Sequence, residues 1–338
     1  MERSPTISVC IAHYKGFDLI DACIASLRAQ VGGMDVEIVV HDDASPDGSA
    51  AHIRERHPDL KLIASAGNVG FCAANNRMAA AAAGDYLLLL NNDATLLPDA
   101  LQSLLAEAER IGRPAILTLP QYDAATGDLL DIGSRLDPFL NPVPNRDPAH
   151  GEVGTVHGAC LWIPRAMWQE LGGFPEWFGS VAEDLYLCCR ARLAGHPVRA
   201  LGISGYRHRV GQSFGGGKAV GGRLASTYRR RALSERNKTF VMIACYPLVL
   251  LAPLLPLHAL LLLLEGAVLS LLKREWRPLG EIYLPVFAAC WRERDRLREL
   301  RGAAQAARRS GLGAFLSAFR ILPHKLSLLL RHGPPRLG

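Results

Sequence analysis

The sequence lacks several short patterns that identify common classes of protein. Its eight cysteines include no CxxC pair, which excludes zinc-ribbon and thioredoxin-type sites. No GxGxxG follows the first predicted strand, so a phosphate-binding glycine loop is not expected there. No apolar signal-peptide core precedes that strand, so we expect the N-terminal part of the protein to stay in the cytoplasm.

Acidic residues are scarce in the C-terminal third of the chain. From Lys218 onward, 21 Lys and Arg residues accompany only 7 Asp and Glu, a net charge of +14, whereas residues 1–217 carry a net charge of −8. This asymmetry suggests an anionic partner for the C-terminal part alone. The whole chain is 49% hydrophobic and can bury a sizeable core, so its cysteines are predicted to be reduced thiols rather than a disulfide framework.

Strand and helix patterns alternate along the first 120 residues. Apolar runs predict strands at residues 7–12, 36–40, 60–64, 86–90 and 115–119. Helical patterns lie between them, and the clearest cover residues 71–83 and 98–111. This alternation predicts an α/β fold with a parallel sheet covered by helices on both faces. Residues 120–150 are rich in Pro, Asp and Gly and predict loops with one hairpin.

Polar side chains follow three of the predicted strands at their carboxyl ends. His13 follows the first strand, Asp42 the second, and the triplet 91–93 (Asn-Asn-Asp) the fourth. Ligands bind beyond the carboxyl ends of an open parallel sheet, so these residues are expected to share a crevice. Helix capping is the alternative for a single Asp or Asn, but several residues separate Asp42 and Asp93 from their next helices. Carboxylates there suit a hard divalent cation that neutralises a diphosphate.

Four motifs in order carry a resemblance to a known family. They are SVCIAHYKG, VVHDDASPDGS, NVGFCAANNRMA and GDYLLLLNNDATLLPDAL, followed by VHGACLWIPRAMWQELGGFPEWF, AEDLYLCCRARLAGH, YRHRVGQS and SERNK. Over residues 6–240 the chain resembles glycosyltransferase family 2, and within it most resembles bacterial rhamnosyltransferase-type enzymes of cell-surface polysaccharide synthesis. The resemblance implies a GT-A (Rossmann-like) catalytic domain, a mostly parallel sheet covered by helices, over residues 1–235.

The resemblance also assigns the donor side of the site. Three residues would bind the donor nucleotide: His13, Asp42 (on the base) and Asn91. Asp93 ends the triplet that stands in place of the family's DxD motif and would bind a divalent cation, Mn²⁺ or Mg²⁺. His208, the first residue of an H-x4-S pattern that ends at Ser213, would be a further metal ligand.

The catalytic base and the acceptor side are assigned in the same way. Asp184 matches the second residue of the family's ED motif and would deprotonate the acceptor hydroxyl as general base. Three residues would lie on the acceptor side: Gly158, Glu183 and Trp177. The implied reaction is an inverting transfer of a sugar, with dTDP-rhamnose as one candidate donor, to a glycan or polyprenyl-linked saccharide, and the cation stabilises the leaving diphosphate.

An apolar segment follows the resembling region. Residues 239–264 contain no Asp, Glu, Lys or Arg and are long enough to cross a membrane. A single crossing would place the Arg-rich stretch 292–309 outside the cell, against the positive-inside tendency. The segment also contains Pro247, Pro253 and Pro256, so we expect residues 236–338 to form broken helices. These would lie in the cytoplasmic interface of the inner (plasma) membrane, with arginines on anionic headgroups. A helical appendage packed on the catalytic domain is the alternative.

Two other classes of function share some of these features. A sugar nucleotidyltransferase would carry a Gly-rich loop with Arg and Lys after its first strand, where this chain has AHYKGFD. A non-catalytic scaffold for glycan assembly, derived from a glycosyltransferase, would not need Asp42, Asp93, Asp184 and His208 together. Nucleic acid would explain the basic C-terminal part, but the uncharged segment beside it fits lipid better, so no nucleic-acid partner is predicted.

Overall fold

The computed structural model describes residues 6–209, 216–220, 223–325, 328 and 336–337. The described chain divides into two compact units. The first unit comprises residues 6–134, 144–191 and 196–209, and the second comprises residues 135–143, 192–195 and the described residues from 216 onward. The domain boundary expected after residue 235 stays a prediction.

The secondary structure follows the alternation that the sequence predicts. The strands are β1 (Ile7–His13), β2 (Val36–Asp42), β3 (Lys61–Ala64), β4 (Tyr86–Asn91), β5 (Ala94–Leu96), β6 (Ile116–Thr118), β7 (Gln121–Asp123), β8 (Leu129–Asp131), β9 (Ser134–Leu136), β10 (Pro142–Pro144), β11 (Cys160–Pro164), β12 (Val198–Ala200), β13 (Tyr206–His208), β14 (Gly216–Val220), β15 (Arg223–Ser226) and β16 (Arg336–Leu337). The helices are α1 (Phe17–Arg28), α2 (Ser49–Arg56), α3 (Phe71–Ala81), α4 (Ala100–Ile111), α5 (Arg165–Leu171), α6 (Glu183–Leu193), α7 (Tyr228–Cys245), α8 (Leu248–Lys273), α9 (Leu284–Arg292), α10 (Arg294–Ala306) and α11 (Leu312–Leu316). A short 3₁₀ turn (Glu176–Phe178) and a π-helical turn (Leu279–Tyr283) complete the set.

A seven-stranded sheet forms the centre of the first unit. Its strand order is β12-β6-β11-β4-β1-β2-β3, and β11 alone runs antiparallel to its neighbours among these strands. The parallel register sets His13 opposite Asp42 and Ala12 opposite Asn91, so the carboxyl ends of β1, β2 and β4 meet at one edge. The mostly parallel α/β sheet predicted from the sequence is therefore confirmed.

Burial explains why these segments form strands and helices. The four leucines of β4 are at most 2% exposed, as expected for a strand covered on both faces. Helix α1 buries Ile20, Cys23, Ile24 and Leu27, which recur at helical spacing on one face. Seven of the eight cysteines are buried, and none of the eight is in a disulfide bond in this structure. The reduced state expected from the sequence stays a prediction.

A second sheet in the first unit brings distant segments together. Its strand order is β5-β13-β7-β8, so β13 lies between β5, which directly follows the 91–93 triplet, and β7. Strands β7 and β8 form the hairpin predicted within residues 120–150. That region is more structured than predicted, because β9 and β10 pair there as well.

The second unit corrects the prediction for the apolar segment. The chain breaks after α7 at Pro247, the N-cap of α8, but α8 runs for 26 residues with Pro253 and Pro256 inside it. Each of these prolines loses its own backbone hydrogen bond and crowds the carbonyl four residues earlier, but its φ angle is compatible with a helix, and the flanking leucines are strong helix formers. The apolar segment 239–264 is thus divided between α7 and α8. Residues 239–245 are mostly buried in α7, whereas α8 is mostly exposed and, within the described residues, is the one helix long and apolar enough to cross a membrane.

A buried ion network joins α7 to α8. Glu235 is 1% exposed, and its carboxylate contacts the Nζ atoms of Lys325 (2.8 Å) and Lys238 (3.1 Å). Arg231 bridges Glu235 to Glu265 of α8, and Lys325 also contacts Glu265 at 2.7 Å. The three cations hold the pKa of Glu235 well below its usual range, against the opposing effect of its burial. Removing one member would leave an uncompensated buried charge.

The approach of Gly84 to β1 gives a test of this packing. A Cβ at Gly84 would lie 2.6 Å from the backbone nitrogen of Ser8, so Gly84→Ala must displace backbone. We expect the free energy of unfolding to fall by about 1–3 kcal/mol in urea denaturation. Gly67→Ala is the matched control, because its Cβ would meet nothing within 4 Å. Equal stability of the two variants would contradict the close approach of Gly84 to β1.

Candidate functional site

Two adjacent carboxylates at the end of β2 have different surroundings. The Asp43 carboxylate accepts hydrogen bonds from the backbone N–H groups of Val69 (2.6 Å) and Gly70 (3.0 Å), and so fixes the loop before α3. The Asp42 carboxylate accepts one bond, from the backbone N–H of Ser45 at 3.1 Å. Its other oxygen, Oδ1, is buried and has no hydrogen-bond partner among the described residues. Asp43 therefore has a structural role, whereas Asp42 has one carboxylate oxygen available to accept a hydrogen bond from a ligand.

His13 lies beside Asp42 at the end of β1. The side-chain amide of Asn92 lies 2.9 Å from His13 Nδ1 and also donates to the carbonyl of Lys15, which identifies Nδ1 as the acceptor. The proton of the neutral ring is then on Nε2, which is buried and has no hydrogen-bond partner among the described residues. Burial lowers the pKa of His13, and the nearby carboxylates of Asp42 and Asp47 offset this only in part. A buried donor and a buried acceptor thus lie at paired positions of β1 and β2.

Asp93 and His208 form the centre of the site. His208 Nε2 lies 3.0 Å from Asp93 Oδ1, and their side chains are 13% and 3% exposed. The side-chain amide nitrogen of Asn91 lies 3.4 Å from the same Nε2. The structure brings these three predicted residues together because β13 pairs with β5, which follows Asp93 directly. Ser213, the end of the H-x4-S pattern, lies outside the described residues.

A hydrogen-bonded chain behind His208 was not found from the sequence. The Tyr206 hydroxyl donates to Gln121 Oε1 at 2.8 Å, and Gln121 Nε2 lies 3.2 Å from His208 Nδ1. Each ring nitrogen of His208 thus lies near a side-chain amide nitrogen, and Nε2 also faces the carboxylate of Asp93. A cation bound to Nε2 would require the proton on Nδ1, and the Gln121 amide would then turn so that its oxygen accepts that proton. Alternating strand positions carry Tyr206 and His208, but no motif identified Gln121 as their partner.

These residues suit a hard divalent cation that is also held by a diphosphate. No group of three or more His, Cys, Asp and Glu side chains arranged to hold a metal occurs in the described part of the chain. Asp93 and His208 offer one carboxylate and one imidazole, and the amide of Asn91 is adjacent. Mg²⁺ is commonly held by one or two carboxylates together with substrate phosphates, and Mn²⁺ also accepts carboxylate and water. The donor set therefore fits a cation that arrives with its nucleotide.

Asp184 accepts two backbone hydrogen bonds, and the one from Gly158 ties it to the same edge of the sheet. Its Oδ2 accepts from the backbone N–H of Gly158 at 3.0 Å, and its Oδ1 accepts from the backbone N–H of Leu185 at 2.7 Å. The carbonyl of Ala159, next to Gly158, accepts from the backbone N–H of Asn91 at 3.1 Å. The Asp184 side chain is only partly buried, so its remaining lone pairs can reach a ligand.

Backbone strain precedes Asp184. Val181 and Ala182 adopt φ angles of 72° and 69°, which a β-branched residue such as Val rarely adopts. Such conformations persist where the surroundings impose them, often at functional sites. Val181 and Ala182 lead directly into α6, which begins at Glu183, a residue that is 6% exposed. Their conformation thereby fixes the direction in which the Asp184 side chain projects from the helix.

The remaining acceptor-side predictions stay predictions. Trp177 is half-buried in the 3₁₀ turn, and its ring packs edge to face on Phe178 at 4.8 Å. A Cβ at Gly158 would lie 3.5 Å from the ring of Phe71 and 3.9 Å from Asp184 Oδ2, which are ordinary contacts. The small size of Gly158 is therefore not imposed by its protein neighbours.

Comparison with known families identifies the domain in the first half of the chain. The model of glycosyl transferase family 2 matches residues 8–171, which include β1, β2, the 91–93 triplet and β11. Residues 8–171 are a glycosyltransferase family 2 domain. Asp184 and His208 lie beyond the matched range, and the structure brings them to it through the backbone bonds of Gly158 and the pairing of β13.

Curated relatives match the chain in part. N-acetylglucosaminyl-diphospho-decaprenol L-rhamnosyltransferase of Mycobacterium tuberculosis is 26% identical over 191 residues, which are 47% of this chain and 62% of that protein. The low-salt glycan biosynthesis hexosyltransferase Agl10 of Haloferax volcanii is 27% identical over 203 residues, 55% of this chain and 61% of that protein. The chain thus spans less than two thirds of the length of either relative.

Solved structures show the same fold. TarS 1–349 of S. aureus superposes with a TM-score of 0.54 at 18% identity, covering 89% of this chain and 88% of that one. GalNAc-T7, solved with UDP, GalNAc and Mn²⁺, superposes with a TM-score of 0.52 at 17% identity, covering 61% of this chain and 43% of that one. The GT-A fold class predicted from the sequence agrees with these glycosyltransferase neighbours.

The different roles of Asp42 and Asp43 give a second test. Asp43→Ala removes the acceptor of two backbone bonds, so the free energy of unfolding should fall by about 2–4 kcal/mol. Asp128→Ala, at an exposed carboxylate, should change it by less than about 0.5 kcal/mol. Urea denaturation measures both. Wild-type stability of Asp43→Ala would show that the loop before α3 does not depend on this carboxylate.

Proposed function

We propose that the protein is an inverting, metal-dependent glycosyltransferase. It transfers a sugar from a nucleoside-diphosphate donor to a hydroxyl of a glycan or lipid-linked saccharide in the synthesis of cell-envelope polysaccharide. The observation that carries this proposal is the Asp93–His208 pair beside the strand ends that carry His13 and Asp42. In the same unit, Asp184 is linked to Asn91 through residues 158–159.

The donor nucleotide would be recognised by His13, Asp42 and Asn91. Asp42 Oδ1 is a buried acceptor without a partner, and His13 Nε2–H is a buried donor without one, among the described residues. Such groups cost free energy unless a ligand or water satisfies them. A pyrimidine base offers an N–H group and a carbonyl side by side, which would satisfy both.

Asp93 and His208 would hold a divalent cation, Mn²⁺ or Mg²⁺, on the donor diphosphate. When bound, the cation supplies Lewis-acid stabilisation of the charge that develops on the leaving diphosphate. The chain supplies the ligands: Asp93 is held at the end of β4, and His208 is held on β13 by Gln121. The neighbour GalNAc-T7 was solved with UDP and Mn²⁺, which supports this use of the fold.

Asp184 would act as the general base. Its two backbone hydrogen bonds fix the plane of the carboxylate, and its partial exposure leaves it open to an acceptor hydroxyl. The base takes the proton as the hydroxyl oxygen attacks the anomeric carbon, the bond to the nucleotide breaks, and configuration inverts. Such a base contributes about 10²- to 10⁴-fold in rate. Cys188 and Cys189 are buried, so this helix offers no accessible nucleophilic thiol, and a single inverting displacement requires none.

The relatives narrow the substrate class. The mycobacterial relative is named for transfer of L-rhamnose to N-acetylglucosaminyl-diphospho-decaprenol, and the haloarchaeal relative for glycan biosynthesis. By analogy, a dTDP-rhamnose-like donor and an acceptor saccharide on a polyprenyl diphosphate are the first substrates to test. A lipid-linked acceptor would bring the protein to a membrane, and a nucleotide donor supplied from the cytoplasm would require the site to lie on the cytoplasmic face.

The metal assignment is tested at Asp93. Asp93→Ala should abolish the part of nucleoside-diphosphate binding that depends on Mn²⁺, because the remaining His208 offers a single ligand. Isothermal titration calorimetry with dTDP or UDP, with and without Mn²⁺, measures this, and Asp128→Ala is the control. Unchanged affinity with unchanged metal dependence would remove Asp93 from the site.

The catalytic base is tested at Asp184. Asp184→Asn keeps the shape and one acceptor but loses the proton acceptor, so turnover should fall by about two orders of magnitude or more. Donor affinity should persist, since the donor-binding residues are unchanged. Asp128→Asn is the matched control. Loss of donor binding with normal residual turnover would show that Asp184 serves the nucleotide instead.

A further inference from the structure

We propose that α8 is a lipid-docking helix that lies in the interface of one leaflet of an anionic membrane and does not cross it. The proposal rests on the proposed function only in that a lipid-linked acceptor requires a membrane. The residues that support it all lie in the second unit and include none of the proposed catalytic residues. The surface in question is defined by Leu248, Leu260, Leu264, Val268, Leu271 and Leu272, which are 51–77% exposed.

The polarity of α8 is inverted relative to a helix of a water-soluble protein. Its polar residues face the protein: His258 is 3% exposed, Ser270 is 7% exposed, and Glu265 bonds to Arg231 and Lys325. Leu251, Leu262 and Leu269 are buried as well, but eight other leucines of α8 are exposed. A helix on a soluble domain places its apolar stripe on the core and its polar face in water. The outer face of α8 is therefore more stable in contact with hydrocarbon than in contact with water.

Helix α8 contacts α7 from His258 to its end. His258 Nε2 lies 2.9 Å from the hydroxyl of Thr239. Midway, Glu265 pairs with Arg231, and at its end Lys273 Nζ lies 5.6 Å from the ring centre of Tyr228, the first residue of α7. Because α7 contains six charged residues, a crossing by α8 would carry these charges into the hydrocarbon alongside it. The pairing therefore favours an α8 that lies in the plane of the membrane.

The chain after α8 returns to α7. The π-helical turn (Leu279–Tyr283) packs against Gly266, and the backbone N–H of Leu279 donates to Ser270 Oγ at 3.1 Å. Farther on, Arg301 in α10 donates to the carbonyls of Ile243 (2.7 Å) and Tyr246 (2.8 Å) at the end of α7. The Arg-rich stretch is therefore on the same side as α7, which a single crossing by α8 would not allow.

Charge and aromatic residues at the end of α8 identify the occupant. Trp276 is 80% exposed between the exposed residues Arg274 and Arg277, and Trp291 is 74% exposed beside Arg292. Tryptophan is enriched where a membrane meets water, and arginine binds anionic headgroups. An exposed apolar helix followed along the chain by these residues is complementary to an anionic lipid leaflet.

Sedimentation of the full-length protein with vesicles of phosphatidylglycerol and phosphatidylcholine tests the apolar surface. Leu260→Glu/Leu264→Glu should lower the partition coefficient by at least about a hundredfold, because it removes apolar burial from one turn of α8. Val31→Glu/Ile203→Glu adds the same charges at exposed apolar positions of the first unit and should bind like the wild type. Wild-type melting by circular dichroism shows that the variants are folded. Equal binding of both double variants would overturn the proposal.

The charged border is tested in the same assay. Arg274→Gln/Arg292→Gln should lower binding at low salt about 25-fold, since each arginine near an anionic surface contributes about fivefold. Arg54→Gln/Arg113→Gln, at exposed arginines of the first unit, should have no effect. High salt should release the wild type only in part, because lipid burial of leucine is not screened. Complete release by salt would overturn the lipid-docking role of α8.

Two further outcomes separate the lipid surface from other occupants. In sealed inverted inner-membrane vesicles, trypsin should cleave the Arg-rich stretch from the cytoplasmic face, and its protection would show that the chain crosses the membrane. In sedimentation velocity without lipid, a wild-type dimer that Leu260→Glu/Leu264→Glu dissociates, with vesicle binding unchanged, would show that a second copy covers α8. Neither assay uses a sugar donor. A negative result in these assays therefore does not contradict the proposed transferase activity, and absence of transferase activity does not contradict lipid docking by α8.

Discussion

The register of three parallel strands is the constraint on which the site depends. Strand β1 pairs with both β2 and β4, and this pairing alone sets His13 opposite Asp42 and Ala12 opposite Asn91. A slip of one residue would turn each of these side chains to the other face of the sheet. The apolar runs that hold the register are buried on both faces, so a slip in register would disrupt the packing of the core. The polar residues at the edge are thus positioned by leucines and valines several residues away.

The tasks of binding and of support are divided among neighbouring residues. Asp43 uses both carboxylate oxygens to hold a loop, which leaves Asp42 with a free acceptor. Asn92 orients His13, and Gln121 orients His208, so that each ring presents a defined nitrogen. In the second unit, Glu235 and Glu265 hold α7 and α8 together through shared cations, which allows α8 to present leucine outward. In both units, buried polar contacts determine which side-chain groups the surface presents to a ligand.

Much of the fold, and part of the site, could be predicted from the sequence. The β-strand pattern and the periodicity of α1 are local properties, and they predicted the mostly parallel sheet. The approach of His208 to Asp93 came from family resemblance, since the long stretch of chain between them carries no local signal of the β13–β5 pairing. Gln121 and Asn92 were missed because a supporting amide has no motif of its own. The continuity of α8 was missed because proline was expected to break a helix that flanking leucines keep intact, and the inward polar stripe appears only once α7 is in place.

The central claim is that the edge formed by β1, β2 and β4, with His208 from β13, binds a nucleoside diphosphate together with a divalent cation. A crystal structure of the full-length protein grown with dTDP and Mn²⁺, with data collected at the manganese absorption edge, tests this most directly. The account predicts one anomalous peak within bonding distance of Asp93 and His208, with the diphosphate on its far side and the base beside Asp42. A nucleotide bound at this edge with no manganese at Asp93, or manganese and nucleotide bound elsewhere on the protein, would contradict it.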